Sequence, residues 1–293
     1  MKWTKLVVQT TNEAIDAVTN ILMENGAEGV QIDDSNGLMN IAVITYFSVD
    51  INSDEFTYEL QAKINNLTKY GLNPGKAKVE LTTVDDESWD KVWEKYYHPT
   101  RVTRYLTVVP SWKKYQTQKP EQKIIRLNPG KAFGTGTHPT TRLILQALEM
   151  EIRGEESVYD VGTGSGVLSI AALLLGAKRV QAFDVDSDAL ASAKLNFDLN
   201  PIAKEIKLVE NDLLKGIDAK VDLIVANILP EFLIPLTPQA FNCLSAGGKY
   251  IVSGIISDQK NTMIACLHKN GFEIDEILNI KDWYAISAHV PTA

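Results

Sequence analysis

A chain of 293 residues, 45% of them hydrophobic, is long enough to fill two cores. Its two cysteines are too few for a disulfide framework or a metal cluster, no apolar run approaches the roughly 20 residues needed to cross a bilayer, and the opening MKWTKLVVQT is no signal peptide; a soluble protein of the reducing cytoplasm is expected. The net charge of −8 sits in the first third: residues 1–98 carry 8 Lys, no Arg and 16 Asp+Glu, and the rest carries 21 of each sign, so the field of that third repels nucleic acid and draws basic partners.

In chain order, KWTKLVVQT reads as a strand and NEAIDAVTNILMENGAEG as a helix with Ile15, Val18 and Leu22 on one face and Gly26 at its end. GVQID and MNIAVITYFSV follow as strands. A second helix places Phe56, Leu60, Ile64 and Leu67 in one stripe and stops at Gly71, and AKVELTTV is a last strand. The βαββαβ order predicts an α+β ferredoxin-like domain over 1–84, four antiparallel strands with two helices on one face. RNA-recognition domains share that topology, and Tyr46 and Phe47 lie late in the long strand, but the absence of arginine argues against RNA.

Trp89, Val92, Trp93 and Tyr96 share one face of a predicted linker helix within 85–100, which Pro99 breaks. The second domain, 101–293, starts with RYLTVVPSW as a strand and YQTQKPEQK as an exposed loop. From 157 onward strands at 158–161, 179–185, 206–210, 221–226 and 249–255 alternate with helices at 166–175, 187–199, 230–243 and 258–270, a doubly wound α/β layout. FEIDEILNI and WYAISAHV form a closing hairpin that sets an antiparallel strand into the parallel sheet.

Two stretches repeat the tripeptide Gly-Thr-Gly, at 134–136 and 162–164. The later one, in DVGTGSG, follows a buried strand and opens an apolar helix, and Asp184 ends the next strand 22 positions after Gly162, where a ribose diol is normally held. Its G-x-G-x-G spacing differs from the dinucleotide fingerprint. Asp160 just before it would repel a pyrophosphate but suit an ammonium, which favours S-adenosylmethionine over NAD; a purely structural cap is the plainer reading of Asp160. Asn227 ends the fourth strand of the series, at the edge where such sheets bind ligands, placed to accept a hydrogen bond from an incoming amine; a turn former or helix cap is its plainer reading. Asp212 is a weaker candidate for the adenine end. Of the four histidines only His138 lies beside a candidate site, and neither metal spacing nor a nucleophile elbow occurs.

With ESWDKVWEKYYHPTR, VVPSW, NPGKAFGTGTHPTT, DVGTGSGVLSIAA, FDVDSDAL and VANIL in place, the chain resembles the PrmA family of ribosomal protein methyltransferases over essentially its whole length. The resemblance implies a Rossmann-like, seven-stranded class I S-adenosylmethionine-dependent methyltransferase domain with its last strand antiparallel. It implies cofactor contacts at Thr141, Gly162, Asp184 and Asn227. It further implies methylation of lysine ε-amines and the N-terminal α-amine of a ribosomal protein of the large-subunit stalk base, recognised by the N-terminal domain. Pro230 departs from the small residue many relatives carry. Beside these, Gly164 and Asp160 complete the expected cofactor site and Asn227 is the expected catalytic residue, without metal or dedicated base. The earlier tripeptide has no P-loop lysine; Pro139 suits the first turn of a helix, so the stretch reads as a lid, Thr141 touching the cofactor and Phe133 shielding the methyl group from water. No nucleic acid and no membrane are required, and a monomer is expected. A nucleic-acid amine methyltransferase and an NAD-dependent oxidoreductase are the alternatives.

Overall fold

The computed structural model describes residues 2–27, 29–33, 41–47, 53–85, 97–117, 119–128, 134 and 136–292. The chain divides into two compact units, Met1–Tyr97 and His98–Ala293.

In the first unit β1 (Lys2–Thr10), α1 (Ile15–Glu24), β2 (Gln31–Asp33), β3 (Ile41–Phe47), α2 (Ser53–Asn65) and β4 (Val79–Asp85) follow one another in the expected order. The sheet runs β2-β3-β1-β4 with every pairing antiparallel. Alternation along β1 turns Leu6 and Val8 into a core shared with Val18 and Leu22 of α1 and Leu60 and Ile64 of α2. Ile15 and Phe56, expected in those stripes, are only partly buried, Phe56 packing against the margin of the core.

The expected linker helix, with Trp89, Val92, Trp93 and Tyr96, lies in residues 86–96, outside the described residues. Its ends are corrected: Asp85 closes β4, and Thr100 opens a strand. Asp85 is set by pairing with Lys2, distant in sequence, and Thr100 by a two-residue ladder with β6 too short to leave a periodic signal.

The second unit begins with a small sheet, β5 (Thr100–Arg101), β6 (Leu106–Pro110) and β7 (Lys123–Leu127), in which β6 and β7 are parallel. KIIRL was not expected as a strand: it is short, framed by cations, and pairs with β6 across a loop. Then come α3 (Pro139–Glu151), β8 (Ser157–Val161), α4 (Val167–Leu175), β9 (Arg179–Asp184), α5 (Ser187–Leu199), β10 (Lys207–Glu210), β11 (Val221–Asn227), α6 (Pro230–Cys243), β12 (Leu244–Ile256), α7 (Ser257–Lys269), β13 (Glu273–Ile280) and β14 (Trp283–His289).

The large sheet has the order β10-β9-β8-β11-β12-β14-β13, and β14 runs opposite to the other six strands. Two apolar layers cover it, one including Ile144, Ile170 and Phe197, the other Leu233, Leu236 and Met263. From β8 the chain winds outward to β9 and β10, then returns to lay β11 on the other side of β8. The crevice at that reversal is where a doubly wound sheet presents a ligand site.

Candidate functional site

A cavity of about 540 Å³ opens at this reversal, walled in part by Gly162, Thr163 and Gly164 after β8, Asp184 at the end of β9, Asn227 at the end of β11 and Ile228 just beyond it. The glycine turn is shaped by backbone constraints. Gly162, Gly164 and Gly166 all have positive φ, and a Cβ on Gly162 would lie 2.3 Å from Ile228 Cγ2. The backbone N–H groups of Gly162 and Thr163 both donate to the Phe183 carbonyl at 2.9 Å, which ties the turn to β9.

Asp160 is fully buried beneath the turn. Its Oδ2 accepts from Thr163 Oγ1 (2.7 Å), Ser169 Oγ (2.6 Å) and Ser169 N–H (3.1 Å), whereas its buried Oδ1 has no partner. Burial pushes its carboxyl up to about 6 against those three donors, with the nearby Asp184 charge acting in the same direction as burial. One oxygen is therefore structural, as the plainer reading had it; the other is an unsatisfied acceptor that suits a cation, but Asp160, like Thr141, lies behind the cavity wall and not on it.

Asp184 lines the cavity. Its Oδ2 accepts from Gly164 N–H at 2.9 Å, and its Oδ1 from Val185 and Asp186 N–H at 2.9 and 3.1 Å. A carboxylate offers about four lone-pair positions, so a hydroxyl can still be accepted there. Asp186 beside it caps α5 by accepting from Asp188 N–H.

Asn227 ends β11 on the cavity wall, and its Nδ2 donates to Thr141 Oγ1 at 3.3 Å, leaving the buried Oδ1 without a partner. Thr141 is wholly buried in α3, and the cavity wall at that helix is formed by Thr140 and His138 instead. His138 caps α3, its Nδ1 accepting from Thr140 N–H at 3.4 Å, and Pro139 opens the helix as expected.

The earlier Gly-Thr-Gly reaches the same place. Gly134 lines the cavity and its carbonyl accepts from Ser165 Oγ at 2.6 Å, so the two tripeptide stretches are tied together. A Cβ on Gly136 would fall 2.6 Å from Val108 Cγ2, which seats the stretch on β6. Phe133 lies outside the described residues. Asp212 does not line the cavity and is ion-paired with Lys215. Pro230 starts α6 and is buried, a position that tolerates its missing N–H.

Gly254, Leu229, Phe232 and Trp283 also form the wall and went unread in the sequence. Gly254 had a signal, a glycine late in an apolar strand: its Cβ would sit 2.2 Å from the Ile228 carbonyl oxygen, so only glycine lets the segment after Asn227 pass. Trp283 meets His138 edge to face, ring centroids 5.1 Å apart, and is brought there by pairing opposite Ile256 in the sheet.

The residues present fit S-adenosylmethionine: an unpaired buried carboxylate oxygen for an ammonium, a glycine turn that admits close approach, a second carboxylate for a diol, and an unpaired amide oxygen at the strand edge. Fold and cavity together define a class I S-adenosylmethionine-dependent methyltransferase.

The family model described as ribosomal protein L11 methyltransferase (PrmA) matches residues 2–290. The chain belongs to that family. Relatives named ribosomal protein L11 methyltransferase include one from Levilactobacillus brevis, 50% identical over 100% of this chain and 99% of its own, and one from Bacillus pumilus, 40% identical over 98% and 99%. A crystal structure of ribosomal protein L11 methylase from Lactobacillus delbrueckii subsp. bulgaricus is 41% identical, with a TM-score of 0.64, covering 67% of this chain and 100% of its own.

Proposed function

We propose that the chain transfers methyl groups from S-adenosylmethionine to amines of ribosomal protein L11, taking lysine ε-amines and the N-terminal α-amine as acceptors, with the acidic ferredoxin-like domain, 1–84, holding the basic substrate. The observation that carries this reading is the unpartnered, buried Oδ1 of Asn227 on the cavity wall, with the unpartnered Oδ1 of Asp160 beneath the glycine turn. Two orphaned acceptors in one site cost stability, and donors from ligands remove that cost.

When bound, S-adenosylmethionine supplies an electrophilic methyl group on a sulfonium that departs as a neutral thioether, so no general acid is needed. The protein's work is then positioning. Asp160 accepts the ammonium through Oδ1, Asp184 accepts a ribose hydroxyl, and the Gly162–Gly164 turn lets backbone lie against the amino-acid end. Asn227 Oδ1 accepts an N–H of the incoming amine and so orients its lone pair. Thr141 serves the cofactor site from behind, by holding the Asn227 amide.

A lysine has a reference pKa of about 10.4 and an α-amine about 7.7–8.0, so the lysine carries the larger deprotonation cost at neutral pH. The apolar rim of Leu229 and Phe232 lowers that cost by desolvation. Action as a monomer in the cytoplasm completes the reading, a reducing compartment in which the two cysteines stay free.

The test is incubation with S-adenosylmethionine and purified ribosomal proteins, read by mass spectrometry. L11 gaining multiples of a methyl mass supports the proposal, and label in ribosomal RNA instead overturns the substrate.

A further inference from the structure

Charge in the second unit is not spread evenly. Residues 98–128 contain seven cations, Arg101, Arg104, Lys113, Lys114, Lys119, Lys123 and Arg126, against the single acid Glu121. Among the described residues none of the seven forms an ion pair. Unpaired like charges held close together repel one another, a cost that a polyanion removes.

Three of these cations surround a recess of about 150 Å³ on the β5–β6 turn and the loop before β7, together with Tyr105, Glu121 and Gln122. Arg101, Arg104 and Lys119 are exposed there. The Arg101 guanidinium is pinned through Nε to the Thr103 carbonyl (3.1 Å) and through Nη2 to the Arg104 carbonyl (2.6 Å), so part of its ordering is done in advance. Arg104 lies over the Tyr105 ring, its guanidinium carbon 5.3 Å from the centroid. On the far side of Tyr105, the Glu149 carboxylate is occupied by Tyr105 N–H and the Thr103 hydroxyl, which leaves Glu121 as the acid bordering the recess.

We propose that this face binds RNA through its phosphates, as a surface separate from the methyl-transfer cavity. Planar guanidiniums match phosphate oxygens in pairs, and an arginine stacked on a tyrosine beside them is suited to a nucleotide rather than to a carboxylate alone. The proposal rests on the function above in one respect: a ribosomal protein substrate is itself basic and is not drawn to this face, but the RNA it accompanies is. The recess lies before the starts of β6 and β7 and shares no residue with the cavity wall. β7 leads into the stretch whose Gly134 lines the cavity, and Val108 of β6 supports Gly136.

The test uses the full chain, a fluorescently labelled RNA hairpin and anisotropy titration across salt concentrations. Wild type should bind with log affinity falling against log salt at a slope of about −2 to −3, as expected for roughly three phosphates neutralised. Arg101→Gln/Arg104→Gln/Lys119→Gln, checked for an unchanged melting temperature, should lose about tenfold or more in affinity and most of that slope. Poly-glutamate of equal charge should fail to displace the RNA. Methyl transfer to isolated L11 should be the same in both proteins.

Absent or salt-independent RNA binding, an unaffected variant, or displacement by poly-glutamate overturns the proposal, the last in favour of an acidic protein segment. Lost methyl transfer to isolated L11 in the folded variant also overturns it, because the face would then serve the protein substrate. If wild type binds RNA as described but methylates nothing, the functional reading fails and this one stands.

Discussion

Thr141→Val tests whether the buried threonine acts on chemistry through Asn227. Valine keeps the shape and removes Oγ1, the acceptor for Asn227 Nδ2 at 3.3 Å. The amide then has a buried donor without a partner, a penalty of about 1–3 kcal/mol, in addition to the acceptor Oδ1 that is already unpaired. Rotating the amide by half a turn, or swinging it toward the cavity, relieves that penalty, and either motion withdraws Oδ1 from the amine. If about 2 kcal/mol of orientation is lost in the transition state, kcat falls roughly thirtyfold. Cofactor affinity should change less than about threefold, since Thr141 is not on the cavity wall. The assay is radiolabelled methyl incorporation into L11, with the affinity for S-adenosylhomocysteine measured by calorimetry. Thr141→Ser should recover most of kcat. A variant that loses tenfold in cofactor affinity and keeps its kcat would show that Thr141 meets the ligand directly, and the argument through Asn227 would fail.

Asn227→Ala should lower kcat at least a hundredfold, about 2.7 kcal/mol, with the melting temperature nearly unchanged, because its side chain supports no core contact; near-normal turnover rejects the orienting role. Asp160, held at about 6 in the folded protein against 3.8 unfolded, takes up a proton on folding between those values. The contribution of Asp160 to stability should therefore be full below pH 4, decline as pH rises to about 6 and stay lost above it, about 3 kcal/mol in all, read as the difference between wild type and Asp160→Asn in urea titrations. In the same window S-adenosylhomocysteine should bind more weakly as pH falls through 6, since protonation removes the charge facing its ammonium; a pH-independent affinity contradicts this. Gly26 and Gly254 share φ of +95°, but a Cβ meets open space at the first and the Ile228 carbonyl at 2.2 Å at the second. Gly26→Ala should cost about 1 kcal/mol and Gly254→Ala several times that, with cofactor binding lost only in the latter; equal melting temperatures would refute the steric account.

The parts of the fold written in local periodicity were legible. Helices 187–199 and 230–243 have the expected bounds, since Asp186 caps one and Pro230 opens the other. β7 was not legible, because a short run framed by cations becomes a strand only by pairing with β6. At the site, residues at strand ends in a known topological order were found, and Gly162, Gly164, Asp184 and Asn227 do gather at one cavity. Trp283 was missed because sheet register, not sequence neighbourhood, carries it there. The resemblance, together with the position after Pro139, puts Thr141 at the ligand; at that helix start Thr140 lines the cavity and the fully buried Thr141 reaches the site through the Asn227 amide. Which face a residue takes at the start of a helix depends on packing that no local pattern records.

The insertion of β14 between β12 and β13 also orders events in time. Within the sheet β13 pairs only with β14, so β13, made first, has no partner until β14 follows and folds back on it or fills the edge beside β12. When β14 enters, it closes that edge and brings Trp283 to the cavity in the same motion. A nascent chain thus has no finished pocket until its sheet is finished. Ligand binding then acts as a latch on the last folding step, drawing the population toward the closed sheet in proportion to occupancy.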